Sequence, residues 1–248
     1  MALLNKLRSI VPKRPPTCSV VIAAAGSSQR CKGEDKLLYI INDRPVLAHT
    51  IEVFQNCVFV EEIVVVTRND LLEKVSEICN KNKFKKVTRV IAGGESRAES
   101  VFIGIFAITK KTGLIAVHDG ARACIDADTI ERAIAAGAKH HAAAPGIEVT
   151  STLKLVEDDV VKSTVERNNL VEMQTPQVFK PEIIKAAMTK VINKSTQVTD
   201  ESMAVELLGM PVHVVKGSRS NIKITNNEDL LIAEKLLTWQ TNKEWSLA

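Results

Sequence analysis

Short apolar runs rich in β-branched residues alternate along the chain with segments of helical period. The apolar runs are residues 19–24, 62–67, 86–91, 114–118 and 212–215. Their nearly unbroken valine and isoleucine content predicts strands that are buried on both faces. Strands that alternate with helices are typical of a parallel sheet built from βαβ units. We therefore predict an α/β, Rossmann-like fold with a mostly parallel central sheet and helices on both faces.

Apolar residues between these runs recur at spacings of three and four, which places them on one face of a helix. These sets are Leu47, Ile51 and Phe54; Leu71, Val75 and Ile78; and Val101, Ile105 and Ile108. A last helix is predicted over about residues 227–237, with Asn226 or Asn227 as its N-cap. These apolar faces are expected to cover the sheet.

Residues 147–179 depart from the alternation, because they contain β-like pieces, an acidic turn and no helical stripe. We predict that they form a protruding β-arm for dimerisation, since so long an excursion has little core of its own. Residues 1–17 are basic, with no acidic side chain, and are predicted to be a solvated, disordered leader. A remnant of an organelle-targeting segment is the alternative. One domain is expected over residues 18–240, followed by a tail over residues 241–248.

The composition narrows the class of partner. The 33 basic and 29 acidic residues give a net charge of +4, and the basic residues are scattered, which favours a small anionic substrate over nucleic acid. No apolar run approaches the length of about 20 residues that a membrane-spanning helix needs. The five cysteines form no Cys-x-x-Cys pair, so a reducing cytoplasm fits better than a disulfide framework. We predict a cytoplasmic protein that binds neither membranes nor nucleic acid.

Candidate chemistry follows the predicted strands, because ligands bind at the carboxyl ends of the strands in open α/β sheets. The first loop, AAAGSSQR at residues 23–30, lets the backbone approach a ligand closely around Gly26, and Arg30 and Lys36 add positive charge. A phosphate site and a plain strand-to-helix turn are both compatible with it. The loop contains neither a P-loop motif nor a dinucleotide fingerprint.

Three further loops carry weaker signals. GGESRAES at residues 93–100 precedes a helix whose amides could receive a base or a phosphate, although a capped helix start explains it equally well. In HDGAR, Asp119 could hold Mg²⁺ and Arg122 could bind a phosphate, with a structural Asp–Arg pair as the alternative. In SNIKIT, Lys223 lies among apolar neighbours.

Taken together and in this order, A-A-G-x-x-x-R…K, G-G-x-x-R-x-x-S, H-D-x-A-R, T-D-E and N-I-K-I-T resemble the 2-C-methyl-D-erythritol 4-phosphate cytidylyltransferase family. The likeness runs over about residues 18–237. The related ribitol 5-phosphate cytidylyltransferases share most of these loops. The resemblance implies a nucleotidyltransferase domain, dependent on Mg²⁺ or another divalent cation, that moves CMP from CTP to a small polyol phosphate in isoprenoid precursor synthesis by the non-mevalonate pathway. It also implies a homodimer with shared acceptor sites.

The resemblance also implies roles for individual positions. The residues implied in catalysis are Arg30, Lys36 and Lys223; those in nucleotide binding are Ala24, Ala25, Gly26, Gly94 and Ser100; those in acceptor binding are Arg122, Thr152, Arg167 and Thr175; and the magnesium ligand is Asp119. Cations and Mg²⁺ suit this chemistry, because a phosphate monoester is already a nucleophile and two anions must be aligned. The chain departs from the family pattern at Ala23, Asp35, Ala123 and Ser151, and none of these departures removes a catalytic charge.

Methylerythritol 4-phosphate is the expected acceptor. Ribitol 5-phosphate is the alternative, and a nucleotide-binding regulator without turnover is a third possibility. The charged residues Arg30, Lys36, Asp119 and Lys223 argue against the regulator.

Overall fold

The structure, a computed structural model, describes residues 16–26 and 35–245. Its strands are β1 (Cys18–Ala24), β2 (Ile40–Ile41), β3 (Arg44–Pro45), β4 (Val60–Thr67), β5 (Val87–Ala92), β6 (Leu114–Asp119), β7 (Ala142–Glu148), β8 (Leu153–Glu157), β9 (Val160–Val165), β10 (Val171–Met173), β11 (Gln177–Phe179) and β12 (His213–Lys216). Its helices are α1 (Val46–Asn56), α2 (Leu72–Lys81), α3 (Arg97–Phe106), α4 (Ala127–His140), α5 (Pro181–Asn193), α6 (Glu201–Glu206) and α7 (Asn227–Trp245), and a 3₁₀ turn spans Asn69–Leu71.

The strands of the central sheet are connected in the order β10-β7-β11-β6-β1-β4-β5. β10 and β11 pair with successive parts of one edge of β7, and β12 pairs with its opposite edge. The pairs β1–β4, β1–β6, β4–β5 and β7–β12 are parallel, whereas β10 and β11 run antiparallel to their neighbours. This confirms the predicted Rossmann-like, mostly parallel fold. Because β1, β4 and β6 are parallel neighbours, their carboxyl ends meet at one edge, and the loops that follow them can form one site.

Helices cover both faces of the sheet, as the apolar stripes predict. Along β1, Val20 and Ile22 pack into one apolar cluster together with α1, α2, α4 and α7, while Val21 packs into a second cluster with α3, α5 and α6. This alternation is the period of two that a strand imposes on its side chains. Burial on both faces explains why apolar residues predominate in β1 and β4.

The structure differs from the sequence-based expectation in the extent of the arm. Between β7 and β10 only residues 149–170 leave the sheet, and within them β8 and β9 pair with each other as a separate hairpin. Strands β10 and β11 return to the main sheet, where Val178 and Phe179 are fully buried between β6 and β7. The excursion is therefore shorter than residues 147–179.

Two further differences from the sequence-based expectation concern the strand β7 and the length of the last helix. The strand β7, with the sequence AAAPGIE, carries alanine and proline, which have low strand propensity, yet its first residues are fully buried in the sheet. The last helix continues to Trp245 instead of ending near residue 237, so most of the expected tail is helical. Among the described residues, no helix is both long and apolar enough to cross a membrane.

Glu62, on β4, is a buried carboxylate that joins three segments of the fold. Its oxygens accept hydrogen bonds from the backbone N–H groups of Thr109 (3.0 Å) and Lys110 (2.9 Å). They also accept hydroxyl donors from Thr109 (2.7 Å), Thr88 (3.0 Å) and Ser19 (3.1 Å). Burial alone raises the pKa of Glu62, but these donors outweigh it and lower the pKa to about 2. The charged form is therefore the one that the fold stabilises.

We expect Glu62→Gln to lower the free energy of unfolding at pH 7 by about 3 kcal/mol. The NH₂ group of the glutamine amide would face backbone N–H donors that now find a carboxylate oxygen. A depressed pKa contributes stability that is present above the unfolded pKa of about 4.5 and is lost as the pH falls toward 2. The difference between wild type and variant should therefore shrink between pH 5 and pH 2. Urea unfolding across this range measures it. A difference that stays constant with pH would contradict the assignment.

Candidate active site

Asp119 ends β6 and lies at the centre of a charge cluster. Its Oδ2 atom lies 3.0 Å from Nζ of Lys223 and 3.4 Å from Nε of Arg122. Its Oδ1 atom lies 3.1 Å from Nη2 of Arg97. Burial alone raises the pKa of Asp119, but the three cations outweigh it and hold that pKa well below its usual range. Asp119 is therefore an anion at any pH near neutrality.

Glu201 binds the same arginine from the other side. Its carboxylate is almost fully buried and accepts hydrogen bonds from Nη1 (2.6 Å) and Nη2 (3.1 Å) of Arg97. Arg97 is the first residue of α3 and Glu201 the first residue of α6, so one arginine ties two helix starts to the end of β6. Three cations and two carboxylates leave one positive charge, which suits an anionic ligand.

Thr175 reaches Asp119 because the chain bulges between β10 and β11. Both strands pair with β7. Met173 on β10 pairs with Gly146, and Val178 on β11 pairs with Ala143, so five positions on one side are matched by three on β7. The bulge contains Thr175 and its cis peptide bond to Pro176. The Thr175 hydroxyl accepts the backbone N–H of Asp119 at 3.1 Å and lies 2.9 Å from Nδ1 of His118. The acidic residue is thus fixed through its backbone as well as its side chain.

His118 supports this arrangement as a neutral imidazole. Its complete burial lowers its pKa to about 3, so the ring is uncharged at neutral pH. The Thr175 hydroxyl, whose oxygen accepts from Asp119, can then donate its proton to Nδ1. The opposite nitrogen, Nε2, donates to the carbonyl oxygen of Arg122 at 3.3 Å. His118 is therefore a structural connector between β6, the bulge and the Arg122 turn.

A cleft of about 540 Å³ opens above the carboxyl ends of β1, β4 and β6. Part of its lining is backbone and small side chains; these residues are Ala24, Ala25, Gly26, Gly93, Gly94 and Ser100. Ser100 Oγ accepts the N–H of Gly94 at 3.1 Å, and a Cβ on Gly93 would lie 2.4 Å from that Oγ. The close approach requires glycine at position 93. Such a surface admits a flat ring against the backbone.

The same cleft also has a cationic lining, formed by Lys36, Arg97 and Lys223 together with Asp119. Arg68 lines it as well, but its guanidinium is paired with Asp35 and Asp70. A polyanion such as a triphosphate would find several permanent charges there. A nucleoside triphosphate therefore matches both parts of the cleft, with its base toward the glycines and its phosphates toward the cations.

A second cavity, of about 260 Å³, adjoins the first and is lined by Arg122, Gln174, Thr175 and Asp200. Both cavities share Arg97, Asp119 and Lys223 in their linings. Two anionic ligands could thus lie side by side with their reacting phosphates next to the charge cluster. This is the geometry that a phosphoryl or nucleotidyl transfer needs.

Comparison with known proteins agrees with this geometry. Residues 18–239 match the family model for 2-C-methyl-D-erythritol 4-phosphate cytidylyltransferase. The enzyme of that name from Halalkalibacterium halodurans is 39% identical over 220 residues, which cover 88% of this chain and 96% of the relative. The Clostridioides difficile enzyme is 37% identical over 228 residues, which cover 91% and 96%. The chain belongs to the 2-C-methyl-D-erythritol 4-phosphate cytidylyltransferase family.

Solved structures of the cytidylyltransferase family share the fold. The Anaerococcus prevotii 4-diphosphocytidyl-2C-methyl-D-erythritol synthase superposes with a TM-score of 0.78 at 30% identity, covering 90% of this chain and 96% of its own. The Thermus thermophilus cytidylyltransferase gives a TM-score of 0.74 at 28% identity, covering 89% and 98%. The family resemblance predicted from the loop motifs is confirmed, and the chain is a cytidylyltransferase, an enzyme of the nucleotidyltransferase class.

Most of the site residues that sequence predicts for this cytidylyltransferase come together. The predicted residues that line the larger cleft are Ala24, Ala25, Gly26, Lys36, Gly94, Ser100, Asp119 and Lys223, and those that line the smaller cavity include Arg122 and Thr175. Arg30 lies outside the described residues. Thr152 and Arg167 line neither cavity; both are exposed on the arm, where Arg167 donates to the carbonyl oxygen of Thr150.

Sequence reasoning did not assign three charged residues that the structure places at this site. Arg97 stands inside the G-G-x-x-R-x-x-S motif and Glu201 inside T-D-E, so both motifs carried a signal for them. Arg68 follows β4 and lines the larger cleft, and no pattern around it distinguishes it from a solvated charge. Tertiary contacts alone identify it.

Proposed function

We propose that this chain transfers CMP from CTP to 2-C-methyl-D-erythritol 4-phosphate, forming 4-diphosphocytidyl-2-C-methyl-D-erythritol and pyrophosphate in isoprenoid precursor synthesis. The observation that carries the proposal is the pair of cavities that share Arg97, Asp119 and Lys223. The larger cavity suits CTP and the smaller one a polyol phosphate. The names of the relatives support the same substrates.

In the proposed reaction, an oxygen of the acceptor phosphate attacks the α-phosphorus of CTP. A new P–O bond forms there, and the bond from the α-phosphorus to the bridging oxygen breaks, so that pyrophosphate leaves with the electron pair. No general base is required, because the acceptor phosphate is ionised. Lys36 and Lys223 neutralise charge on the α-phosphate and on the leaving group, and Arg122 and Thr175 hold the acceptor.

We propose that Asp119 binds Mg²⁺ together with the triphosphate. No cluster of three or more His, Cys, Asp or Glu side chains able to hold a metal occurs in the part of the chain that the structure describes. A single carboxylate nevertheless fits Mg²⁺, which proteins hold through one or two carboxylates plus substrate phosphates and waters. Both Asp119 oxygens already contact two cationic N–H donors each, and the contact of Oδ2 with Nε of Arg122, at 3.4 Å, is the longest of the four. An ion on Asp119 would take the place of that donor. When bound, the ion would neutralise phosphate charge.

We also propose a cytoplasmic homodimer in which the arm completes the partner's acceptor site. The hairpin formed by β8 and β9 leaves large apolar side chains in contact with solvent, namely Leu155, Val156, Val160 and Val161, each more than half exposed. Such a surface favours burial against another protein. Thr152 and Arg167 lie at the ends of this hairpin, away from the cavities of their own chain.

We expect pyrophosphate release from CTP and Mg²⁺ to be faster with 2-C-methyl-D-erythritol 4-phosphate than with ribitol 5-phosphate. The purified protein is incubated with each acceptor in turn, and pyrophosphate is measured by a coupled assay. An equal or reversed preference would favour the ribitol enzyme. If neither acceptor gave pyrophosphate at any Mg²⁺ concentration, the chain would be a nucleotide-binding regulator.

A further inference from the structure

Arg68 joins three segments at the edge of the larger cleft. Its Nη1 atom forms an ion pair with Oδ2 of Asp35 and lies 3.4 Å from the carbonyl oxygen of Gly26. Its Nε and Nη2 atoms donate to the carboxylate of Asp70 at 3.1 and 3.2 Å. Gly26 and Asp35 are the described residues on either side of residues 27–34. One guanidinium therefore contacts both, and is itself held by Asp70 in the next turn.

Asp35 uses its other oxygen to build the turn that carries Lys36. Oδ1 accepts the N–H of Leu37 at 2.9 Å, and the Asp35 carbonyl accepts the N–H of Leu38 at 2.8 Å. Leu37 is buried in the core, and its carbonyl accepts the N–H of Leu47 on α1 at 3.0 Å. The backbone on both sides of Lys36 is thus tied down, on one side by the core and on the other by the carboxylate that Arg68 holds.

The ion pair between Arg68 and Asp35 is more shielded from water at its carboxylate end than at its guanidinium end. The Asp35 side chain is 7% exposed, whereas that of Arg68 is 28% exposed. A carboxylate removed from water is stabilised by a nearby opposite charge, and the Arg68→Gln change removes such a charge from Asp35. Without Arg68, we expect Asp35 to turn toward solvent and to release the N–H of Leu37. Lys36, the adjacent residue, would then lose its fixed direction toward the cleft.

We propose that Arg68 is a positioning residue for Lys36, acting through Asp35. The proposal rests on the proposed function in that Lys36 is taken to act on the phosphates of CTP. A catalytic group displaced by about 1 Å can lose as much as 100-fold in rate. Arg68 does not touch the reacting atoms in this assignment, and its effect depends entirely on the presence of Lys36.

The test is a double-mutant cycle between Arg68→Gln and Lys36→Ala. We expect Arg68→Gln alone to lower kcat about tenfold with little change in KM for CTP, and to change kcat less than about twofold when Lys36 is already alanine. Asp35→Asn keeps an acceptor for the N–H of Leu37 but removes the negative charge that Arg68 binds. It should show most of the loss in kcat that Arg68→Gln shows. Arg89→Gln, which changes an exposed arginine on the neighbouring strand β5, is the matched control and should leave kcat unchanged.

Several results would overturn this proposal. An equal loss in both Lys36 backgrounds, or a loss that follows a fall in the melting temperature, would make Arg68 a general structural residue. If wild type bound CTP but transferred no CMP, the proposed function would fail. The same double-mutant cycle would then be measured as the affinity for CTP, by calorimetric titration. If Arg68→Gln weakened CTP binding only when Lys36 is present, positioning would still be supported. If the effects of the two substitutions on CTP binding were additive, positioning would be refuted. Failure of wild type to bind CTP would overturn both proposals.

Discussion

Lys36→Ala is expected to lower kcat by about 100-fold or more while weakening CTP binding far less. The ammonium group lines the cationic part of the larger cleft, near where charge develops on the α-phosphate and the leaving pyrophosphate. An interaction that strengthens in the transition state affects kcat more than ground-state binding. Steady-state kinetics at saturating CTP, together with calorimetric binding of CTP, separate the two effects. We expect the same behaviour for Arg30→Ala.

Lys235→Ala is a suitable control for the lysine variant, because Lys235 is exposed on α7 and lines neither cavity. It should leave kcat and the Kd for CTP unchanged. A Lys36 variant that bound CTP poorly yet kept normal turnover at saturation would assign the lysine to ground-state binding. The cytidylyltransferase assignment would not be affected by that result.

Mixing two inactive variants is expected to restore activity if the acceptor sites are shared between subunits. Lys36→Ala damages the cleft of its own chain, and Arg167→Ala damages the site that its arm completes in the partner. A mixed dimer then has one site with both lesions and one site with neither. Random reassembly of an equal mixture should recover roughly a quarter of wild-type sites.

The matched control mixes Lys36→Ala with Lys223→Ala, both of which line the same cleft of one chain. Every site in that mixture carries a lesion, so no activity should return. If a verified mixed dimer of the Lys36 and Arg167 variants also stayed inactive, the shared-site proposal would be wrong. Analytical ultracentrifugation gives the oligomeric state independently, and a monomer would equally refute it.

Local patterns were enough to predict five of the eight strands that the described residues contribute to the central sheet, and most of its active edge. The strands β1, β4 and β6 are buried on both faces and therefore read as continuous apolar runs, which are easy to detect. Together with β5 they form a parallel set, which brings the loops that follow them to one edge, so the sequence groups Gly94, Asp119 and Lys36 at one site. The strand β7 was not predicted, because its buried residues are alanines followed by a proline, which have low strand propensity.

The same reasoning could not identify which charged groups contact each other. Glu201 lies 104 residues from Arg97, and Arg68 lies 33 residues from Asp35. No periodicity links such pairs, because their contact depends on the register of strands and on how loops pack above the sheet. The two-residue bulge that brings Thr175 onto the backbone of Asp119 is likewise a property of strand pairing.

For this chain, sequence by itself determined the α/β architecture, the family and the side chains available for catalysis, because each follows from short-range pattern or from motifs in a fixed order. Only the tertiary structure decided that two cavities share Asp119, that Glu201 and Arg97 support it, and that Thr152 and Arg167 lie away from their own chain's site. Such contacts form between segments distant in sequence, and the free energy that selects them comes from burial and charge pairing across the whole fold.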